Sequence, residues 1–292
     1  MYFCSIDHDL PLKLPATEGA VRVRLRFRRG SFRLPALLTK RWILPSRARA
    51  TPRTELEYRR RLWERGGFYR FTVEEVGEFS WRSGSGEIRY RLATRNPARL
   101  RYGLLHLVLP GYLQLEGIYE VLHAGAVVIG GRAAVFLAPS HGGKSTLVDY
   151  CLRRGDPLLA DDRLPLIREE GEWRAAPSHP WVRMGRREED LGIRRAPFMS
   201  EAVPLGAMFR LDPVGKGEAI RLEALEGRER FRSLHAARLI PFVSFPEGDN
   251  EVPHRFFRIG SLPLHRLTVP RDLSRLPELY RILRNHLEGQ SM

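Results

Sequence analysis

The chain has 292 residues, 43% hydrophobic and 28% charged, a globular composition with room for one large domain or two of ordinary size. Its 49 basic residues outnumber 34 acidic ones for a formal net charge of +15, and Lys13, Lys40, Lys144 and Lys216 are the only lysines. Two cysteines, Cys4 and Cys151, exclude a disulfide framework; the most apolar stretch, 104–115, is too short and too polar for a bilayer span, and no basic-then-apolar start marks a secretory signal, so the expectation is a cytoplasmic protein without membrane contact.

Residues 1–95 read as a β-rich region. Val21 to Phe27 alternates apolar and basic side chains at period two, as a strand with one wet face does. Phe68 to Val73 and Ile88 to Leu92 repeat the pattern, and Ser83-Gly84-Ser85-Gly86 supplies a turn. Residues 40–65, rich in Arg and Pro, read as a loop or short helix. From Pro97 to Gly117 the period becomes helical, with Pro110-Gly111 expected to bend or split it. Two strands follow, 120–129 and 132–138, joined by the hairpin signal Gly130-Gly131.

Next comes the stretch Ala138-Pro139-Ser140-His141-Gly142-Gly143-Lys144-Ser145-Thr146. A strand, a tight glycine-containing loop, then Lys-Ser opening a helix is the build of a phosphate-binding loop. Backbone N–H groups cradle phosphates, the Lys reaches the terminal ones, and the Ser hydroxyl holds Mg²⁺. Nine residues, 138–146, are therefore the candidate nucleotide-binding segment, and ATP with Mg²⁺ the candidate ligands. Ala138 stands where the usual pattern has Gly, and His141 is a bulky side chain in the loop. The helix runs over 144–154, with Arg153-Arg154-Gly155 as its stop and Cys151 as a small buried hydrophobe.

Pro157-Leu158-Leu159-Ala160 reads as a short strand entering Asp161-Asp162, which lie 17 and 18 residues after Lys144. A helix and a return strand of that length bring the two carboxylates beside the loop. There they can hold Mg²⁺, order water, or accept a proton from an attacking hydroxyl. Neighbours on a strand point to opposite faces, so the two acids divide these jobs. His123 lies 21 residues before Lys144 and opens His123-Ala124-Gly125-Ala126-Val127, small residues that permit close approach. Beyond the acids, Trp173–Ala176, Leu205–Leu211 and His265–Pro270 read as strands. Residues 227–238 and 273–287 read as helices, and 183–203 as a polar loop.

His123-Ala-Gly-Ala, the loop at 138–146, and Arg154-Gly-Asp-Pro-Leu-Leu-Ala-Asp161-Asp162, in this order and spacing, resemble the catalytic domain of HPr kinase/phosphorylase. The resemblance covers residues 118–167. It implies an α/β (α+β) fold with a phosphoenolpyruvate-carboxykinase-like P-loop kinase core at 96–292, behind the β-rich region at 1–95. It implies that Lys144 binds the β/γ-phosphates, that Ser145 ligates Mg²⁺ with Asp161 in or next to the metal shell, that Asp162 accepts the hydroxyl proton, and that His123 is the active-site histidine. A later loop would supply a metal-binding Glu, for which Glu188 is the candidate. The family's phosphorylase signature is not intact, which argues against phosphate removal. HPr kinases are hexamers, so a homo-oligomer is implied as well. Asp7-His8-Asp9-Leu10-Pro11-Leu12 and the segment 263–272 are similar to the HPr-kinase-related proteins of peptide biosynthetic clusters, which include kinases of lasso peptide precursors.

Three functions are in contention. The first is an ATP- and Mg²⁺-dependent kinase acting on a hydroxyl, foremost a Ser of a peptide or protein. The second is a catalytically weak nucleotide- or peptide-binding scaffold. The third is a nucleic-acid-dependent NTPase, which ranks last because the arginines are dispersed and no nucleic-acid motif accompanies them. The charge reads first as a solvated surface, with an acidic peptide as one partner it would favour.

Overall fold

Period-two alternation builds one sheet in the first part of the chain, and short apolar runs build another in the rest. The computed structural model describes residues 2–12, 14, 21–32, 40–44, 60–139, 142–182, 192–195, 197–240 and 259–289. These fall into two compact units, one holding the described residues up to 119 with Ile240, the other those from 120 onward. Together they make a mixed α/β chain of many strands and few helices.

The first unit is a seven-stranded sheet of β1 (Cys4–His8), β2 (Val23–Arg29), β3 (Lys40–Leu44), β4 (Arg60–Arg65), β5 (Phe68–Val73), β6 (Gly77–Arg82) and β7 (Glu87–Leu92). Its order is β1-β2-β7-β6-β5-β4-β3. The β1–β2 and β2–β7 pairs are parallel and the others antiparallel. Residues 40–44 and 60–65 are thus strands, not the expected loop or helix; Leu62 is buried between partly exposed or exposed neighbours, a period-two signal that the run of arginines hides.

A helical stretch packs on the apolar face of this sheet: α1 (Pro97–Gly103), a π turn (Leu104–Val108) and α2 (Leu109–Leu115). Asn96 caps α1 through hydrogen bonds from the N–H groups of Ala98 and Arg99. The rings of Trp81 and Tyr112 meet edge to face at 5.3 Å, and Gly103 lies so close to Val76 that a Cβ would fall 2.6 Å from a methyl. Pro110-Gly111 does not split the helix. The π turn just before it shifts the ladder, Leu109 N–H donating to the Leu104 carbonyl, and Pro110 sits in the first turn of α2, where a missing N–H costs least. The sequence-based boundary at 95/96 therefore differs from the observed one, because the helical stretch buries its apolar side against the first sheet.

The second unit contains β8 (Glu120–Leu122), β9 (Gly125–Ile129), β10 (Arg132–Leu137), α3 (Lys144–Arg153), β11 (Leu158–Ala160), β12 (Leu164–Glu169), β13 (Glu172–Ala175), β14 (Trp181–Val182), β15 (Ile193–Arg194), β16 (Val203–Val214), β17 (Leu222–Ala224), α4 (Gly227–Ala237), β18 (Leu264–Pro270), a 3₁₀ turn (Leu273–Arg275) and α5 (Leu276–Glu288). Nine of these strands form one mixed sheet. Side chains alternate between its faces. Val127, Ile129, Ala134 and Phe136 pack with Leu147 and Cys151 of α3 and Leu279, Leu283 and Leu287 of α5. Ala126, Val128, Ala133 and Val135 pack on the other side with Leu234 of α4. Full burial of one such large side chain is worth about 1.5–3 kcal/mol, so both faces are needed to hold the central strands in register. Among the described residues no helix is long and apolar enough to cross a membrane.

Candidate active site

The site is made by three strand ends. β9 is antiparallel to both β10 and β11, with Gly125 opposite Phe136 and Ala126 opposite Ala160. The C-terminal ends of β10 and β11 therefore flank the N-terminal end of β9. The first leads into the loop at 138–143, the second into Asp161-Asp162, and His123 stands just before the third. Gly130 and Gly131, at φ +58° and +79°, turn the β9–β10 hairpin as expected. Gly125 lets the elements close up: a Cβ there would lie 2.8 Å from a Val148 methyl on α3.

Gly143 starts α3 in the left-handed region, at φ +93°. Among the described residues no side chain caps the first turn, and a helix N-terminus favours an anion there. Gly142 donates to the Pro139 carbonyl at 3.0 Å, tightening the turn. A Cβ on Gly142 would be 2.7 Å from the Ala138 methyl and 2.9 Å from the Pro139 oxygen. With Ala at 138, glycine at 142 is obligatory. Ser140 and His141 lie outside the described residues, as does Glu188.

Lys144 is only 8% exposed. Its Nζ donates to the Ala138 carbonyl at 2.6 Å and lies 3.2 Å from His123 Nε2. An ammonium has three N–H bonds, so one remains for a phosphate oxygen. Burial pulls its pKa down, and the nearby Asp162 and Asp161 carboxylates oppose that shift while Arg163 adds to it.

His123 Nδ1 is 2.8 Å from Asp162 Oδ1. Arg163 Nη1 lies 2.8 Å from both His123 Nδ1 and Asp162 Oδ2, and 3.0 Å from the Asp162 carbonyl. No tautomer satisfies every one of these contacts: with Nδ1–H donating to Asp162 and Nε2 accepting from Lys144, the approach of Arg163 to Nδ1 is not a hydrogen bond, and Arg163 is held by the Asp162 carboxylate and carbonyl. The imidazole lies between the ammonium and the carboxylate.

Asp161 points the other way. It is 4% exposed, and Ser145 Oγ donates to its Oδ1 at 3.4 Å. The two carboxylates thus meet different partners, Asp161 facing Ser145 and Asp162 facing His123 and Arg163. Adjacent ligands of an octahedral Mg²⁺ are about 2.9 Å apart at bond lengths of 2.0–2.1 Å. The Ser145–Asp161 pair, a hydroxyl and a carboxylate at 3.4 Å, needs only a small closure to hold one ion. Among the described residues no three His, Cys, Asp or Glu side chains cluster as a metal site. Ser145 and Asp161 offer oxygen donors, the kind a hard cation such as Mg²⁺ takes. Thr146, the last residue of the candidate segment, is exposed on the first turn of α3.

Sequence reasoning passed over Arg163. Its signal was available, as the residue after the two acids, but one arginine carries little information in a chain so rich in them.

No protein-family model matches the chain, and no curated protein does. Among solved structures, the HPr(Ser) kinase/phosphatase from Coxiella burnetii is similar over 59% of this chain and 99% of its own, at 14% identity and a TM-score of 0.37. A score that low does not establish a shared fold.

Proposed function

We propose that the chain is an ATP- and Mg²⁺-dependent kinase that transfers the γ-phosphate to a hydroxyl, foremost a Ser of a peptide or protein, on a phosphoenolpyruvate-carboxykinase-like P-loop core. The observation that carries this reading is the meeting of Lys144, Ser145–Asp161 and His123–Asp162 at three adjacent strand ends. The resemblance of the same segments to HPr kinase supports it.

In this reading the first-turn amides of α3 and Lys144 bind and orient the β- and γ-phosphates. Ser145 and Asp161 hold Mg²⁺, whose charge offsets that of the phosphates when it is bound. The acceptor oxygen forms the new O–P bond as the bond from the γ-phosphorus to the β–γ bridging oxygen breaks and ADP leaves. Asp162 takes the acceptor's proton. A carboxylate is a weak base, which suffices when proton transfer follows a loose transition state. His123 and Arg163 fix the carboxylate's direction. A lasso-type precursor peptide is among the acceptors this reading admits.

The test is phosphate transfer from ATP to Ser-bearing peptides. Asp162→Asn should lose about 10²-fold or more in kcat. Arg163→Ala should lose about tenfold or more, the worth of one hydrogen bond to a charged group. Full activity in Asp162→Asn with Mg²⁺ present would refute the assignment of the base. A second reading, a scaffold with little catalysis, is favoured by one observation: the Gly142 N–H is already turned to the Pro139 carbonyl rather than left open. It requires ATP to bind without transfer to any acceptor, or not to bind.

A further inference from the structure

We propose that the face of the first sheet turned away from its helices binds an acidic polypeptide segment. The side chains that alternate with the buried Leu25, Phe27, Phe71, Phe79 and Ile88 are largely arginines: Arg26 and Arg28 on β2, Arg89 and Arg91 on β7, Arg82 on β6 and Arg70 on β5. The ladder sets Arg28 beside Arg89. Like charges in register are unfavourable, whereas Arg26 faces Asp7 and Glu87, and Arg91 faces Glu78, across the ladder.

Some of the charge is already answered. Arg28 pairs with Asp7, Arg89 with Glu87 at 3.0 Å, and Arg70 with Glu78 at 3.6 Å. Arg91 faces Glu78 across the ladder, yet that carboxylate goes to Arg70. Arg26, Arg82 and Arg91 are exposed and make no ion pair among the described residues.

The geometry distinguishes a polypeptide from a nucleic acid. The aromatic rings here are covered by guanidinium groups, Arg89 over Phe32 at 4.3 Å and Arg82 over Phe68 at 5.7 Å. They are not free platforms for stacking bases. The interspersed Asp7, Glu78 and Glu87 would repel an unbroken run of phosphates but leave room for separated carboxylates. Alternate residues of β2 lie about 6.8 Å apart, the repeat of every second side chain in an extended peptide. Guanidinium forks match carboxylates in bidentate pairs. The proposal does not depend on the phosphotransfer reading.

The experiment uses the full chain and a fluorescent peptide of about twelve residues with Glu at every second position, long enough to follow one sheet edge to edge. Anisotropy should show binding that weakens with added salt. The triple variant Arg26→Glu, Arg82→Glu, Arg91→Glu should lose at least about tenfold in affinity, measured at a temperature where circular dichroism shows the variant still folded. Reversing Arg228, Arg232 and Arg271, exposed residues of the second unit, changes net charge equally and should leave affinity within about twofold. An equal loss in both triple variants would reduce the effect to net charge and overturn the proposal. So would no binding at low salt, or tighter binding of a single-stranded oligonucleotide of equal charge.

Discussion

At the scale of single residues, Lys144 is the position where function and stability oppose each other. Its ammonium is buried and its pKa is pulled down by the loss of water. The unfolded chain, where the group has its ordinary pKa, then binds more protons than the folded one in the window below that value. Stability therefore rises with pH through that window, and near neutrality the buried cation is a cost. Replacing it with an apolar side chain of similar length removes the cost along with the phosphate contact. Lys144→Met should leave the melting temperature unchanged or higher while abolishing ATP binding, as thermal unfolding and titration calorimetry would show; a fall of more than about 5 °C would mean that its hydrogen bonds to Ala138 and His123 dominate. That Lys144, Ser145, Asp161 and Asp162 would lie close together was legible from order and spacing, because the loop motif fixes the first two and the helix-plus-strand length the acids; His123 was singled out through the family resemblance. Arg163 was not, since its part depends on a side chain reaching across to His123, which no spacing rule encodes.

At the scale of elements, the second unit is held by a sheet with helices on both faces, and histidines sit in those contacts. The His265 and His286 rings, from β18 and α5, meet edge to face at 4.4 Å, and both pack against Phe209. Burial lowers both pKa values, with His286 adding to the shift at His265. His235 on α4 is lowered to about 4 by burial and by Arg238. A histidine whose folded pKa lies below its unfolded one resists protonation by holding the fold together. Stability is whole above the unfolded value near 6.5 and drains as pH falls below it. The melting temperature should drop steadily from pH 7 to pH 5, and His286→Gln should flatten part of that drop; a flat profile would contradict the packing. The sequence showed most elements here, including the glycine hairpin and the helix after the loop. It missed β3, and β4, where arginines on the wet face masked the alternation, and the π turn, which is set by packing around Pro110 rather than by any local propensity.

At the scale of the whole molecule, the described strands make two large sheets and the small β14–β15 pair, and the helical stretch before residue 120 belongs to the first large sheet. A sequence reading assigns helices by period, and period does not say which sheet a helix covers; that is decided by contacts such as Trp81 with Tyr112. The net charge of +15 likewise pointed to acidic partners without saying where they bind. What the whole account rests on is that the ends of β9, β10 and β11 form a seat for the outer phosphates of a nucleotide. Titration calorimetry with ATP and Mg²⁺ tests this most directly, with AMP as the comparison. The account predicts one site per chain, at least about tenfold weaker for AMP and for Ser145→Ala, because the β- and γ-phosphates and the metal supply the contacts. No heat at millimolar ATP, or equal affinity for AMP, would contradict it.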